Sequence, residues 1–554
     1  MIFHRWLCFL PVVAMLAAPV AHATPGPDST VTLVNTQATG SAALEKAYAE
    51  QRFIPKSQRC SVSVPPFDDV TLEVFSTQIL APLVACLTEN KSLDRVEAIV
   101  LMRGMPRRVH IDPVAGAPVV SLAAALMVAR STLADDKTPL VGQTPGYWTA
   151  CGGSADCFAA KWANPYDKLG PFDAGFATTT GNAHHRLWLV TALDAYSYED
   201  AGHLTERAIL AEQKPDVAAT WLLMQGAGKA RQARDFEYEQ VAKKLQIAGA
   251  KPDNQKFDAN YIGKQLGAFV TGTAGIGKTI EGNTYVAGTL TDNLTSFGAV
   301  PMNFTAPEDK GAESQVSICR WVRAGVTGAH GTVAEPLANS FPSRYFLVDY
   351  RQGATLAESY LRNMPFVYWM NLVLGDPMAA PYATRPQVDL QCKDGWLGQT
   401  NATCTLAAEA TMLPLKADGN GEEINRLRAF LPDGSMVEAQ ADSLQLPLAA
   451  TTVDQKLTIV AQFAAGTGAG GSWRSKGWRQ VTLHRLPPVG GKPLGDTTSG
   501  KDGSGAADAA VAASGGGSGA KASGCEAGAV GQKCAAVVLL PLLAWCWRRR
   551  RASA

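Results

Sequence analysis

GVTGAHGTVAEP, running from Gly325 to Pro336, lies between a helical pattern and a loop. Before it, Glu313 to Ala324 places Val316, Ile318, Cys319 and Val322 at helical spacing, and Gly325 stops that helix. Val326 to Val333 is a short buried run that reads as a strand, in which Gly328 and Gly331 let another backbone come close. Glu335 and Pro336 fall where the strand gives way to a loop. In a parallel α/β sheet, ligands bind just beyond such carboxyl ends. A second turn, LGDP from Leu374 to Pro377, echoes the first.

Working outward, the same texture extends in both directions. TVTLVN (Thr30 to Asn35), Cys60 to Val64 and VEAIVLM (Val96 to Met102) read as strands. Between them Ser41 to Arg52 and Thr71 to Thr88 read as helices, the second with an apolar stripe of Leu72, Phe75, Ile79, Leu83 and Leu87. A β-α-β-α-β order implies a parallel sheet with helices on both faces. Residues from about 115 to 181 read as an irregular insertion. Further strands are expected at Arg186 to Leu193, Ala218 to Met224 and Gly267 to Thr271, with helices at Tyr198 to Gln213, Phe236 to Ala248 and Leu356 to Asn363. Thr355 and Glu358 form a capping box for the last of these. The α/β domain is expected over 28–382.

From Gln387 to Leu486 helical stripes give way to short alternating runs such as SLQLPL and KLTIVAQF, with a Pro432-Asp433-Gly434 turn. This predicts a small all-β sandwich over 387–486, folding separately behind a linker at Thr384-Arg385-Pro386.

The chain has 554 residues, 46% hydrophobic and 18% charged, with a net charge of +1. That balance is globular and gives no electrostatic case for nucleic acid. His4 and Arg5, an apolar run from Trp6 to Val20 and Ala21-His22-Ala23 predict a signal peptide over 1–23, and hence export. Residues 490–524 read as a Gly/Ala/Ser-rich linker, and 525–554 as a sorting or anchoring segment: Cys525, an apolar run from Cys534 to Trp547, then Arg548 to Arg551. Of eleven cysteines, Cys8 belongs to the signal peptide and Cys525, Cys534 and Cys546 to the tail. The seven that remain in an oxidising compartment suggest the local pairs Cys151–Cys157 and Cys392–Cys404, the latter in a hairpin, with Cys60–Cys86 also possible. Cys319 is left over on an apolar helix face.

Two resemblances bear on these readings. The tail, with Gly524-Cys525 before its apolar run, resembles the Myxococcus-type C-terminal sorting signals. That resemblance implies a sorting protease acting near Cys525, a cell-surface address, and membrane attachment through modified Cys525 or through the tail itself. The order of elements, with TLAES and LGDP near the end, resembles the gingipain-type cysteine peptidases, which implies a caspase-like three-layer, mostly parallel α/β sheet. The motifs Gly331 to Pro336, Leu356-Ala357-Glu358, Gly375-Asp376-Pro377 and Arg103-Gly104-Met105-Pro106 are similar to those of an uncharacterised family of secreted bacterial proteins. Gingipain-type enzymes carry His-Gly after one central strand and Cys after the next. The matching places here, Thr271 to Ala274 and Phe297 to Asn303, hold neither residue.

Three functions follow from these features. The first is a surface-displayed protein without the peptidase dyad that binds a ligand or partner, or carries out chemistry not yet defined. The second is a hydrolase in which His330 and Glu335 do acid–base work, with Asp194 facing the same crevice; Asp376 and Arg103 are the turn residues of interest. The third is nucleotide binding, because Gly272 to Thr279 fits G-x-x-x-x-G-K-[ST] after a strand. No cofactor is called for. No metal set is called for either: His184 and His185 are strand neighbours that point to opposite faces.

Overall fold

A computed structural model describes residues 24–486, apart from 112–118, 135–150, 152–153, 155, 158–175, 178–183, 186, 311–314, 399–402, 450–454 and 464–475. The expected leader, the sorting tail with Cys525 and most of the 115–181 insertion lie outside the described residues.

Apolar runs buried on both faces become the inner strands of the sheet, and more polar segments join it as edge strands. They are β1 (Thr30–Asn35), β2 (Arg59–Val62), β3 (Ala98–Met102), β4 (Leu189–Leu193), β5 (Thr220–Met224), β6 (Lys251–Gln255), β7 (Gln265–Thr271), β8 (Thr284–Asn293), β9 (Gly328–Thr332) and β10 (Asn371–Leu374). Together they form one ten-stranded sheet in the order β6-β5-β7-β8-β9-β10-β4-β3-β1-β2. Every pairing in it is parallel except that of β9 with β10, where Ala329 faces Leu374 and Thr332 faces Asn371. The domain is thus mixed α/β with a large, mostly parallel sheet.

The helices are α1 (Ser41–Arg52), α2 (Leu72–Glu89), α3 (Leu122–Ala134), α4 (Tyr198–Gln213), α5 (Tyr238–Ile247), α6 (Ile318–Ala324), α7 (Tyr345–Arg351) and α8 (Leu356–Arg362). The stripe on α2 is buried at Phe75, Ile79, Leu83 and Leu87, although a π turn over Phe75–Leu80 widens that helix. Two glycines of β9 show that helices cover both faces. A Cβ at Gly328 would lie 2.6 Å from Leu356 of α8, and one at Gly331 would lie 2.4 Å from Ile318 of α6. Residues of opposite parity on a strand point to opposite faces, so the two helices sit on opposite sides of β9. The helix before GVTGAHGT starts later than expected, at Ile318, where the Ser317 side chain accepts from the Cys319 amide. Gly325 ends it at φ 122°.

Three elements depart from the sequence reading. The insertion expected from about residue 115 contains the well-formed helix α3. Lys251–Gln255 (KPDNQ) is a strand at the sheet edge, where exposed polar residues and a proline are tolerated. Thr284–Asn293 is a ten-residue central strand even though it contains Gly288, at φ 94°; a Cβ there would lie 3.1 Å from Ala211 of α4. Ser296 to Phe304 forms a turn and a 3₁₀ segment over Pro301–Phe304.

The chain after Gln387 forms a four-stranded and a five-stranded sheet around a separate apolar cluster that includes Leu390, Leu415, Leu427, Ile459 and Leu483. Disulfides join Cys60 to Cys86, Cys151 to Cys157 and Cys392 to Cys404. The last of these does not brace a hairpin. Cys392 belongs to the four-stranded sheet and Cys404 to the five-stranded one, so the bond clamps the two sheets together.

Thr384 to Pro386 is not a free linker. The Arg385 guanidinium donates to the Lys476 carbonyl at 2.7 Å and to Glu212 at 3.0 Å, and stacks over Trp478. The described residues fall into one compact unit. Where the two apolar cores meet, Asp28, 1% exposed, pairs with Arg428 and with Lys476 at 3.1 Å, and Lys476 also reaches Glu97 at 3.0 Å.

Candidate functional site

His330 is 1% exposed on β9. Its Nδ1 lies 2.6 Å from Asp292 Oδ1 and its Nε2 lies 3.0 Å from Asn371 Oδ1. The other Asp292 oxygen accepts from the buried Arg344 guanidinium. Burial alone would raise the Asp292 carboxyl, but Arg344 and His330 overcome it and hold it below the usual range. Both ring nitrogens are thus held by side chains of the neighbouring strands. The arrangement is a closed internal network, and it removes His330 from solvent-side acid–base work.

Glu335, by contrast, is exposed and accepts from the Ser296 hydroxyl at 2.8 Å. Asp194 is 4% exposed; it is paired with Arg103 at 2.5 Å and Arg107 at 2.8 Å, and accepts from the Ala195 amide. His330, Glu335 and Asp194 therefore have three separate sets of partners, and the expected joint site is not assembled. Asp376 is fully buried and accepts from Tyr48 at 3.0 Å and Arg52 at 2.5 Å, fixing the LGDP turn to α1.

The loops after β7 and β8 are fastened to each other. Asn293 accepts from the Thr273 amide at 2.8 Å and donates to the Thr273 carbonyl at 3.0 Å. Cys319 is a free, fully buried thiol. Burial, reinforced by Asp194, pushes it well above the ordinary thiol range, so the thiolate a nucleophile needs is suppressed.

The Gly272–Thr279 loop does not open a helix. It closes in turns and leads directly into β8. Thr279, the metal-side hydroxyl of the phosphate-loop pattern, is buried and donates to the Ala259 carbonyl at 2.5 Å. Without aligned amides at a helix start there is no phosphate cradle. Lys278→Ala is expected to leave the melting temperature unchanged both with and without millimolar ATP. An ATP-dependent rise in the parent protein that the substitution abolishes would restore the nucleotide reading.

The sheet order itself points to a different place. β2 lies on one side of β1 and β3 on the other, so β1 and β3 flank a topological switch point. A crevice of about 310 Å³ opens there, lined by Gln37 to Thr39 after β1 and Arg103 to Met105 after β3, with Phe67, Asp68, Arg107 and Tyr198 around it. Gly104, at φ 100°, makes the tight approach possible: a Cβ there would lie 2.3 Å from the Cβ of Ala38. That is the physical reason for glycine in the Arg103-Gly104-Met105-Pro106 turn. The Arg103 guanidinium sits 5.4 Å above the Tyr198 ring and Arg107 stacks 3.8 Å over Phe304. Arg107 also pairs with Asp68. Two guanidiniums thus face two carboxylates, leaving a polar but charge-balanced rim, next to which the Phe67 ring is 67% exposed. Of these residues the sequence analysis singled out Arg103 and Asp194 as site residues, and Gly104 and Met105 only within the Arg103-Gly104-Met105-Pro106 turn. The switch-point rule applied to the residues after β1 and β3 is the signal that finds the rest.

No family model matches the chain. No curated protein matches it either. Among solved structures, one described as "Structure of Protease" is similar at 10% identity and a TM-score of 0.40, over 83% of this chain and 98% of that one. A Bacteroides uniformis β-glucuronidase is similar at 10% identity and a TM-score of 0.13, over 84% of this chain and 46% of that one. Likeness at these scores carries no argument about this chain's chemistry.

Proposed function

We propose that this is an exported, surface-anchored binding protein with a gingipain-like α/β domain that lacks the thiol dyad. It takes a neutral, hydroxyl-rich ligand such as a saccharide in the β1/β3 crevice. The observation that carries the reading is the pairing of an exposed aromatic ring, Phe67, with the charge-balanced Arg103–Asp194–Arg107–Asp68 rim at the switch point. Apolar ring faces stack on the carbon face of a sugar, while planar guanidinium and carboxylate groups hydrogen-bond its hydroxyls. Balanced charge disfavours a strongly ionic ligand. Calorimetry of the purified protein against a panel of neutral oligosaccharides tests the reading. Binding that weakens about tenfold or more in both Phe67→Ala and Tyr198→Ala, roughly 1.4 kcal/mol, supports it. Binding to none of the panel, or binding that ignores both substitutions, rejects it.

One observation favours the hydrolase alternative at a different residue. Phe297 has φ 63°, a strained value for an aromatic residue, directly after the Ser296 hydroxyl that donates to exposed Glu335. In that reading Ser296 attacks a carbonyl and Glu335 takes its proton. A peptidase and esterase screen in which activity appears and is lost in Ser296→Ala would favour it over binding alone.

A further inference from the structure

The first described residues are enclosed. Thr24 is 6% exposed, and its hydroxyl donates to Glu358 Oε1 at 3.3 Å. Two residues on, a Cβ at Gly26 would lie 2.7 Å from the Lys476 side chain, so the segment is packed tightly against the sandwich. Asp28 then pairs with Arg428 and Lys476, and Ser29 donates to Glu97 at 2.6 Å. Residues 24–29 therefore form a wedge between the parallel sheet and the sandwich.

Glu358 itself is 2% exposed. Its Oε2 accepts from the amide and hydroxyl of Thr355, both at 2.9 Å, in the capping box of α8. Its Oε1 is the atom that faces Thr24. The α-nitrogen of a threonine lies about 3–4 Å from its own hydroxyl oxygen by covalent geometry alone. A charge placed on that nitrogen therefore lies within about 7 Å of the buried Glu358 carboxylate. Burial pushes the Glu358 carboxyl up, against the Thr355 hydrogen bonds and the nearby Arg362 charge.

We propose that cleavage between Ala23 and Thr24 is a maturation step in folding as well as in export: the new Thr24 α-ammonium pairs with Glu358 and locks the wedge between the two cores. The inference rests on the export part of the reading above. In the step, a signal peptidase uses water to break the Ala23–Thr24 amide: the hydroxide part adds to the Ala23 carbonyl and the remaining proton goes to the leaving nitrogen. The new Ala23 carboxyl then ionises, and the Thr24 amine takes up a proton to become the ammonium. Before cleavage the same nitrogen is an uncharged amide and supplies no counter-charge.

The test compares detergent-solubilised chains that differ at one end, running to Ala554 with either a free Thr24 or a Gly-Ser extension before it. Glu358→Gln completes a double-mutant cycle, because Gln keeps the capping-box geometry while removing the charge. The free terminus is expected to stabilise the parent by about tenfold or more in the folding equilibrium, and the gain is expected to vanish in Glu358→Gln. Equal stability of the two parent chains, or a gain that persists in Glu358→Gln, overturns the lock. Intact mass of protein from its native host separates the two layers of the argument. An uncleaved leader defeats the export reading and the maturation step together; cleavage at another bond, or a Thr24 terminus with no stability gain, defeats the lock alone.

Discussion

Asp292→Ala is expected to lower the unfolding free energy by about 3–5 kcal/mol, the usual cost of leaving a buried charge without its partner. Asp292 is fully buried, and Arg344 is 1% exposed. The Arg344 guanidinium finds its counter-charge in Asp292 and also donates to the Thr271 carbonyl at 3.3 Å. Removing the carboxylate strands that cation and unpairs His330 Nδ1. Asp292→Asn is expected to fall close to the alanine variant, because it keeps the shape and a hydrogen-bond acceptor but not the charge. The double change Asp292→Ala with Arg344→Met is expected to recover a large part of the loss, since apolar replacement of a whole buried pair is far cheaper than breaking it. Denaturant midpoints of the three variants check this. A single variant within about 0.5 kcal/mol of the parent would mean that the cluster is open to water.

The second large effect is at the junction of the two cores. Burial would raise the Asp28 carboxyl, but Lys476 and Arg428 win and lower it to about 2. The sign follows directly. A depressed carboxylate contributes stability that is fully present above its ordinary value near 4 and is lost as pH falls toward 2. The linked contribution is about 2 kcal/mol, and Asp28→Asn is expected to flatten that acid limb of the stability profile. Asp28→Ala leaves Lys476 with Glu97 and Arg428 with Glu438 but removes the carboxylate they share, and is expected to cost about 3–5 kcal/mol at neutral pH. Limited proteolysis gives an independent readout. The parent is expected to resist cutting at Thr384 to Pro386, and Asp28→Ala to release the sandwich there. Release of the sandwich from the parent at the same rate would show that the junction does not hold the two cores together.

What the sequence determined alone lies wherever one segment's pattern suffices. The helix over Tyr198–Gln213 was legible to the residue because Ser197 caps it and Ala201, Leu204, Ala208 and Ala211 repeat along one buried face. The Thr355/Glu358 capping box spans four residues and formed as expected. Alternation of period two marked the strands of the sandwich, and short separations marked two of the three disulfides. Tertiary structure decided whatever depends on partners far along the chain. KPDNQ has no strand pattern of its own; pairing with β5 at the sheet edge makes it one. Gly288 speaks against a strand locally, yet the sheet uses its missing side chain to admit α4. His330 looked like a candidate base because nothing near it in sequence neutralises it. Asp292 and Asn371, 38 and 41 residues away, enclose it once the strands are ordered. Thr24 meets Glu358 across 334 residues and Asp28 meets Lys476 across 448. Local propensity carries no information about such distances. Strand order and the packing of the two cores set them, through the desolvation that makes each buried charge take a partner.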